Sequence, residues 1–241
     1  MTGDLFVRGG KVVRASGAQT ADVWIRGGRV AAVAAGVPPP PDCAVLDAAD
    51  CLVFPGLIDP QVHFREPGLE HKEDLASGAL AAIGGGVTAF CEMPNTRPST
   101  TTRELLADKV SRATGRSAAD FAFFLGATAQ NADRLGEWED DPGCVGIKVF
   151  MGSSTGDLLV PDDPTVERVL RSGKSRVAVH AEDDYRLKER YASLPAGSSP
   201  VSASSTGRRI RYFSEKTLRS MSSRFTAPTA SSMRISIICA A

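Results

Sequence analysis

Apolar positions along this chain come in short runs punctuated by glycine, proline and acidic clusters, and their spacing changes near residue 55. Before that point the runs read as β-strands. Residues 4–8 and 11–13 flank Gly9-Gly10, and residues 22–26 and 29–33 flank Gly27-Gly28, each a two-residue hairpin signal. A proline run at 38–41 interrupts the pattern, and Val45-Leu46 and residues 51–54 give further short strands. Beyond that point strand-like runs alternate with helical ones. An apolar stretch from Leu52 to Ile58 runs into a polar loop, residues 74–83 are rich in Ala and Leu and stop at Gly84-Gly85-Gly86, and residues 87–91 are again strand-like. The alternation continues with a helix at 102–112, a strand at 120–125, a short helix at 131–135 and a strand at 144–150. A helix at 164–170 with Pro164 at its start, a strand at 176–180 and a helix at 183–192 follow.

Strand and helix in repetition is the rhythm of a parallel sheet covered by helices, so the fold class is α/β. The five βα units are the first part of a TIM-type (β/α)8 barrel, which takes ~250 residues when complete. The predicted organisation is therefore a small β-sandwich half at 1–55, an incomplete barrel at 56–195, and a Ser- and Arg-rich tail at 196–241 that follows neither period. The tail reads either as a disordered segment or as sequence that is truncated or frame-shifted after about residue 196. The abruptness of the change favours the second reading.

Composition narrows the function classes. At 241 residues and 42% hydrophobic content the chain can bury a sizeable core. Its formal net charge is zero, without a basic block, which argues against a nucleic-acid partner. No apolar run approaches the ~20 residues of a membrane span, and the N-terminus has no charged-then-apolar leader. The five cysteines are scattered and without close pairs, the usage of reduced thiols in a cytoplasm.

The chemistry concentrates at Pro55 to Gly68, where an apolar strand delivers Asp59, Gln61, His63, Arg65 and Glu66 before Pro67-Gly68. In a barrel the strand holds such groups rigidly and its carboxyl end presents them. Residues two apart on a strand face the same way, so Gln61 and His63 share a face. Two imidazoles at that spacing would make half a metal site, but a Gln amide oxygen is a poor zinc ligand. The stretch resembles the signature of dihydroorotases and related cyclic-amide amidohydrolases, allantoinases and dihydropyrimidinases among them, which reads D-x-H-x-H-x-R-x-P-G. Asp59, His63, Arg65, Pro67 and Gly68 match it, and Gln61 stands at a family His position.

Further residues carry chemistry of their own. Lys148 lies within an apolar strand, where an unpaired ammonium is costly, so its pKa falls or it reacts. Adding carbon dioxide would turn it into an anionic carbamate, and snorkelling to the strand end is the structural alternative. Residues 146–154 resemble the dihydroorotase and allantoinase segment that bears a carbamylated, metal-bridging lysine. His180 ends an apolar strand just before Glu182 and Asp183, either of which could orient its ring. By resemblance it corresponds to a zinc ligand. His71 sits in a polar run and reads as solvated or capping. Arg65 offers a planar fork for a carboxylate, and Asn95, after Pro94 at a strand end, offers a site-facing amide. In the family both hold substrate.

The resemblance implies a small-molecule substrate and a cytoplasmic hydrolase with two zinc ions per site. Its reaction in pyrimidine biosynthesis converts N-carbamoyl-L-aspartate to dihydroorotate reversibly. The implied metal ligands are His63, Lys148 and His180, and the implied substrate contacts Arg65 and Asn95. A second later His and a catalytic Asp would fall beyond residue 196, yet the three histidines are at 63, 71 and 180. No catalytic residue is retained, and the chain is expected to be inactive or nearly so. The implied protein partners are a second copy of the chain or aspartate transcarbamoylase, the latter through a non-catalytic role.

Overall fold

Gly27 and Gly28 fix the hairpin between the second and third strands. Both have positive φ, 54° and 75°, as a tight type I′ turn requires, and they join β2 (Gly17–Arg26) to β3 (Arg29–Ala34) in antiparallel register. The hairpin expected at Gly9-Gly10 does not form. A single strand, β1 (Leu5–Arg14), runs through both glycines, and its register with β2 slips between Val7 and Gly10. Gly9 takes φ +71° and its N–H turns out of the ladder to donate to the Asp22 carboxylate at 2.8 Å. The pair is a bulge, and the chain reverses instead at Ala15-Ser16.

The computed structural model describes residues 4–152, 157–193 and 235–239. A first sheet has the order β11-β5-β1-β2-β3, with β4 (Ala44–Asp47) also on β1, β5 at Cys51–Pro55 and β11 at Ile235–Cys239. The stretch Leu52 to Ile58 is therefore not one strand. Gly56 divides it, and its halves enter different sheets. β11 comes from the segment expected to lack a pattern and pairs antiparallel with β5, position 239 opposite Cys51. Positions 194–234 of that tail lie outside the described residues. Cys51 is disulfide-bonded, which corrects the expectation of reduced thiols there. Cys43, Cys91 and Cys144 are not disulfide-bonded.

The second sheet is parallel throughout, in the order β10-β9-β8-β7-β6: β6 (Leu57–Val62), β7 (Val87–Glu92), β8 (Asp120–Gly126), β9 (Cys144–Phe150) and β10 (Val177–His180). Each strand is followed by a helix: α1 (Leu75–Gly84), α2 (Arg103–Ala113), α3 (Leu135–Trp138), α4 (Asp163–Ser172) and α5 (Asp184–Ser193). The result is a curled, five-unit part of a barrel. The helix expected at 131–135 begins later because Asn131 builds a turn instead. Its side chain accepts from the Thr128 N–H and donates to the carbonyls of Thr101 and Gly126. α1 and α2 start where expected, capped by Asp74 and Thr102, whose side chains accept backbone N–H bonds of the first turn.

The two faces of this sheet pack differently. Phe90, Phe121, Phe123, Leu125, Ile147 and Val149 point outward into a core with Leu75, Leu106 and Val169 of the helices. Cys91, Met93, Ala122, Phe124 and Val145 point inward, with Ala178 against them. Among the described residues no helix is long and apolar enough to cross a membrane.

Candidate functional site

The site lies where the inner face meets the carboxyl ends of the strands. His63 follows β6 directly. Val62 and Phe64 on either side of it pack into the outer core, so the imidazole turns inward. Its Nδ1–H donates to Asn95 Oδ1 at 2.7 Å. This bond fixes the tautomer and leaves Nε2 with the free lone pair. Burial is the main cause holding the His63 pKa below its usual value; the Asn95 bond opposes that shift, and the charges of Arg65, Lys148 and Lys109 add to it. Lys148, three strands away, is thus in electrostatic reach of His63.

Lys148 reaches the inner face through a bulge. β8 and β9 pair Phe123 with Cys144 but Phe124 with Gly146, so Val145 is an extra residue. Gly146 takes φ +152°, and a Cβ there would lie 2.7 Å from the Arg176 carbonyl oxygen. Cys144 points to the outer core; strict alternation would send Lys148 after it. The bulge reverses the parity, and Lys148 turns inward. It is 3% exposed, with Nζ 5.0 Å from the Phe150 ring centroid. Among the described residues no carboxylate or hydrogen-bond partner meets this ammonium, and burial pushes its pKa below the usual lysine value.

His180 pairs in register with Phe150, and their ring centroids are 6.0 Å apart. Its Nε2 is buried without a hydrogen bond of good geometry, though Glu182 Oε2 lies 3.2 Å away. Glu182 is thus the neighbour of His180, whereas Asp183 accepts the Arg186 N–H at the start of α5. Gln61 is exposed. Its N–H donates to Asp59 Oδ1 at 3.0 Å, where the β6–β7 register slips between Asp59 and Val62. His71 is also exposed. The structure brings His63 and Asn95 into contact and lines up Lys148, Phe150 and His180.

Arg65 takes φ +74°, a conformation uncommon outside glycine, and its N–H donates to Glu92 Oε1 at 3.1 Å. Glu92 is buried against Lys109 of α2 in an ion pair, each side chain 1% exposed, and Lys109 Nζ donates to the Met93 carbonyl at 3.1 Å. Burial pushes each group toward its neutral form while the partner's charge opposes that. Nearby, Glu66 accepts the Leu75 N–H and pairs with Arg116 at 2.6 Å, tying the loop after His63 to the start of α1. Neither pair was recognised in the sequence. The available signal was Lys109, which shares the buried face of α2 with Leu106 and Ala113.

The donors fit a divalent cation only in part. Among the described residues no group of three His, Cys, Asp or Glu side chains is placed to hold a metal ion. Two imidazoles are oriented inward, but a protonated Lys148 cannot ligate.

Three comparisons with known proteins bear on the site. The amidohydrolase family profile matches residues 52–152, from β5 to just past Lys148. The chain is 35% identical over 189 residues to the allantoinase of Deinococcus radiodurans, covering 76% of this chain and 42% of that protein. It is 36% identical over 150 residues to the dihydroorotase of Geotalea daltonii, covering 60% and 35%. Among solved structures, the L-hydantoinase (dihydropyrimidinase) of Arthrobacter aurescens superposes with a TM-score of 0.70 at 27% identity, covering 79% of this chain and 43% of that one. The chain spans less than half the length of each of these relatives.

Proposed function

The chain belongs to the cyclic-amide amidohydrolase superfamily, and from that premise we propose that it carries the amino-terminal half of a dihydroorotase-like active site, alone unable to turn over at an appreciable rate. What supports this reading is that Lys148 and His180 both lie beside the Phe150 ring at the carboxyl ends of neighbouring strands, with His63 in electrostatic reach of Lys148. Lys148 is the most telling of the three. A buried ammonium without a counter-charge has two ways to relieve its cost: it loses one proton to become a neutral amine, or that amine adds carbon dioxide and gives up a second proton as the N–C bond forms. The resulting carbamate, one negative charge shared by two oxygens, would supply an anionic donor that the set otherwise lacks.

In this reading His63 Nε2, Lys148 once carbamylated, and His180 would hold a divalent metal, which when bound would supply a water of lowered pKa for attack on a cyclic amide. Asn95 keeps the His63 ring in the tautomer that exposes Nε2, and its own NH2 is left for substrate. Arg65 takes the substrate carboxylate, the group that favours dihydroorotate over allantoin. Gln61, at a position where the family pattern has His, removes one imidazole.

The test is metal analysis and turnover on the purified chain, with dihydroorotate, allantoin and hydantoin as substrates. Less than two metal ions per chain and background turnover are expected, for Gln61→His as well as for the wild type. Substantial hydrolysis of any of the three by the 241-residue chain would contradict the reading.

A further inference from the structure

One deeply buried pair of charges in the described structure has no part in the chemistry above. Glu92 is the last residue of β7, and its carboxylate meets Lys109 of α2 with both side chains 1% exposed. Replacing such a pair by apolar residues is commonly neutral or stabilising, so stability alone does not account for it. Its remaining bonds go to the two strand ends that form the site. Glu92 Oε1 accepts the N–H of Arg65, which lies beyond the end of β6, and Lys109 Nζ donates to the carbonyl of Met93, two residues before Asn95. The Arg65 N–H belongs to no strand ladder, and Arg65 sits at φ +74°, a conformation that surrounding contacts must hold. Two residues before Arg65 is His63, bonded at 2.7 Å to Asn95.

We propose that Glu92 and Lys109 are positioning residues: the carboxylate holds the Arg65 backbone and the ammonium holds the Met93 carbonyl, so that one buried pair sets the spacing of the His63–Asn95 and Arg65 contacts. The pair acts from the outer side of the sheet, where Lys109 is fixed by α2 and stacks over Phe123 at 4.9 Å. This deepens the reading of Arg65 as the carboxylate contact, and its test separates the two.

Amide hydrogen exchange is followed by NMR on the full chain. In the wild type the Arg65 N–H is expected to exchange at least about tenfold more slowly than an unprotected amide, as a bond to a buried carboxylate dictates. Glu92→Met with Lys109→Met removes acceptor and charge together, and Arg65 exchange should rise by about ten- to hundred-fold. Glu92→Gln with Lys109→Met restores a neutral acceptor of the same shape, and exchange should return to within about threefold of wild type. Equal Arg65 exchange in the two double variants would overturn the proposal. So would an unprotected Arg65 amide in the wild type, a measurement that requires no variant to fold. A second arm measures binding of N-carbamoyl-L-aspartate. Its affinity should fall with Arg65 protection in the Met/Met variant and recover in the Gln/Met variant. No binding by the wild type would refute the carboxylate role of Arg65 while the exchange data still decide the positioning role.

Discussion

Replacing Lys148 with Met keeps the length and bulk of the side chain and removes only the ammonium. In the folded chain Lys148 is 3% exposed as a whole residue, and the Phe150 ring lies 5.0 Å from its Nζ. A buried polar group without a partner costs about 1–3 kcal/mol, and a cation–π contact returns about 1 kcal/mol. Lys148→Met should therefore stabilise the chain by up to about 2 kcal/mol, a rise in Tm of up to roughly 8 °C for a protein of this size. The pH dependence gives the sign independently. Burial places the folded-state pKa of Lys148 below 10.5, so between those values the unfolded chain binds the additional proton. The penalty is complete below the folded-state pKa and disappears as pH rises from there to 10.5. The advantage of the Met variant should accordingly shrink as pH is raised from 7 toward 10.5. Urea unfolding followed by circular dichroism measures both effects. A Met variant less stable than wild type at pH 7, or an advantage that grows with pH, would show that Lys148 has a partner and is not the unpaired amine described above.

Three other perturbations follow from single contacts. His63 has its pKa held below 6.5, chiefly by burial, so it costs no stability above pH 6.5 and an increasing amount as pH falls through the folded-state value. His63→Gln should flatten the loss of stability between pH 6.5 and 5, and parallel profiles would refute this. Gly146→Ala places a Cβ 2.7 Å from the Arg176 oxygen at φ +152° and should cost about 1–3 kcal/mol in urea unfolding; a neutral outcome would mean that the bulge relaxes. Asp74 caps α1 by accepting from Ala76 N–H at 2.8 Å and Ser77 N–H at 2.9 Å. Asp74→Ala should lower stability by about 0.5–2 kcal/mol, and an unchanged Tm would contradict the cap.

Much of the fold was legible because local signals and tertiary packing agree. Apolar periodicity and glycine punctuation placed five strands and their helices, since each outer-facing apolar set packs against the helix that follows it. The errors share a cause. At Gly9 and at Asn131, backbone polar groups are satisfied by a side chain rather than by a ladder or helix. The Asp22 carboxylate turned an expected hairpin into a bulge, and the Asn131 amide turned an expected helix into a turn. Such exchanges depend on what folds nearby and leave no periodic trace.

The site shows why this matters for chemistry. Alternation assigns side chains to faces only while pairing is unbroken, and both strands that deliver the strongest candidates are bulged. In β6 the register slips beside Asp59, the residue whose carboxylate captures the Gln61 N–H. In β9 it slips at Gly146, two residues before Lys148. Without the second slip Lys148 would follow Cys144 toward the helices, where Ile147 and Val149 now pack, and an ammonium would replace an aliphatic side chain in the outer core. With it, those aliphatic groups take the outer positions and the amine turns to the inner face beside Phe150 and His180. One glycine with a conformation few other residues adopt therefore decides whether this lysine meets the outer core or the inner face.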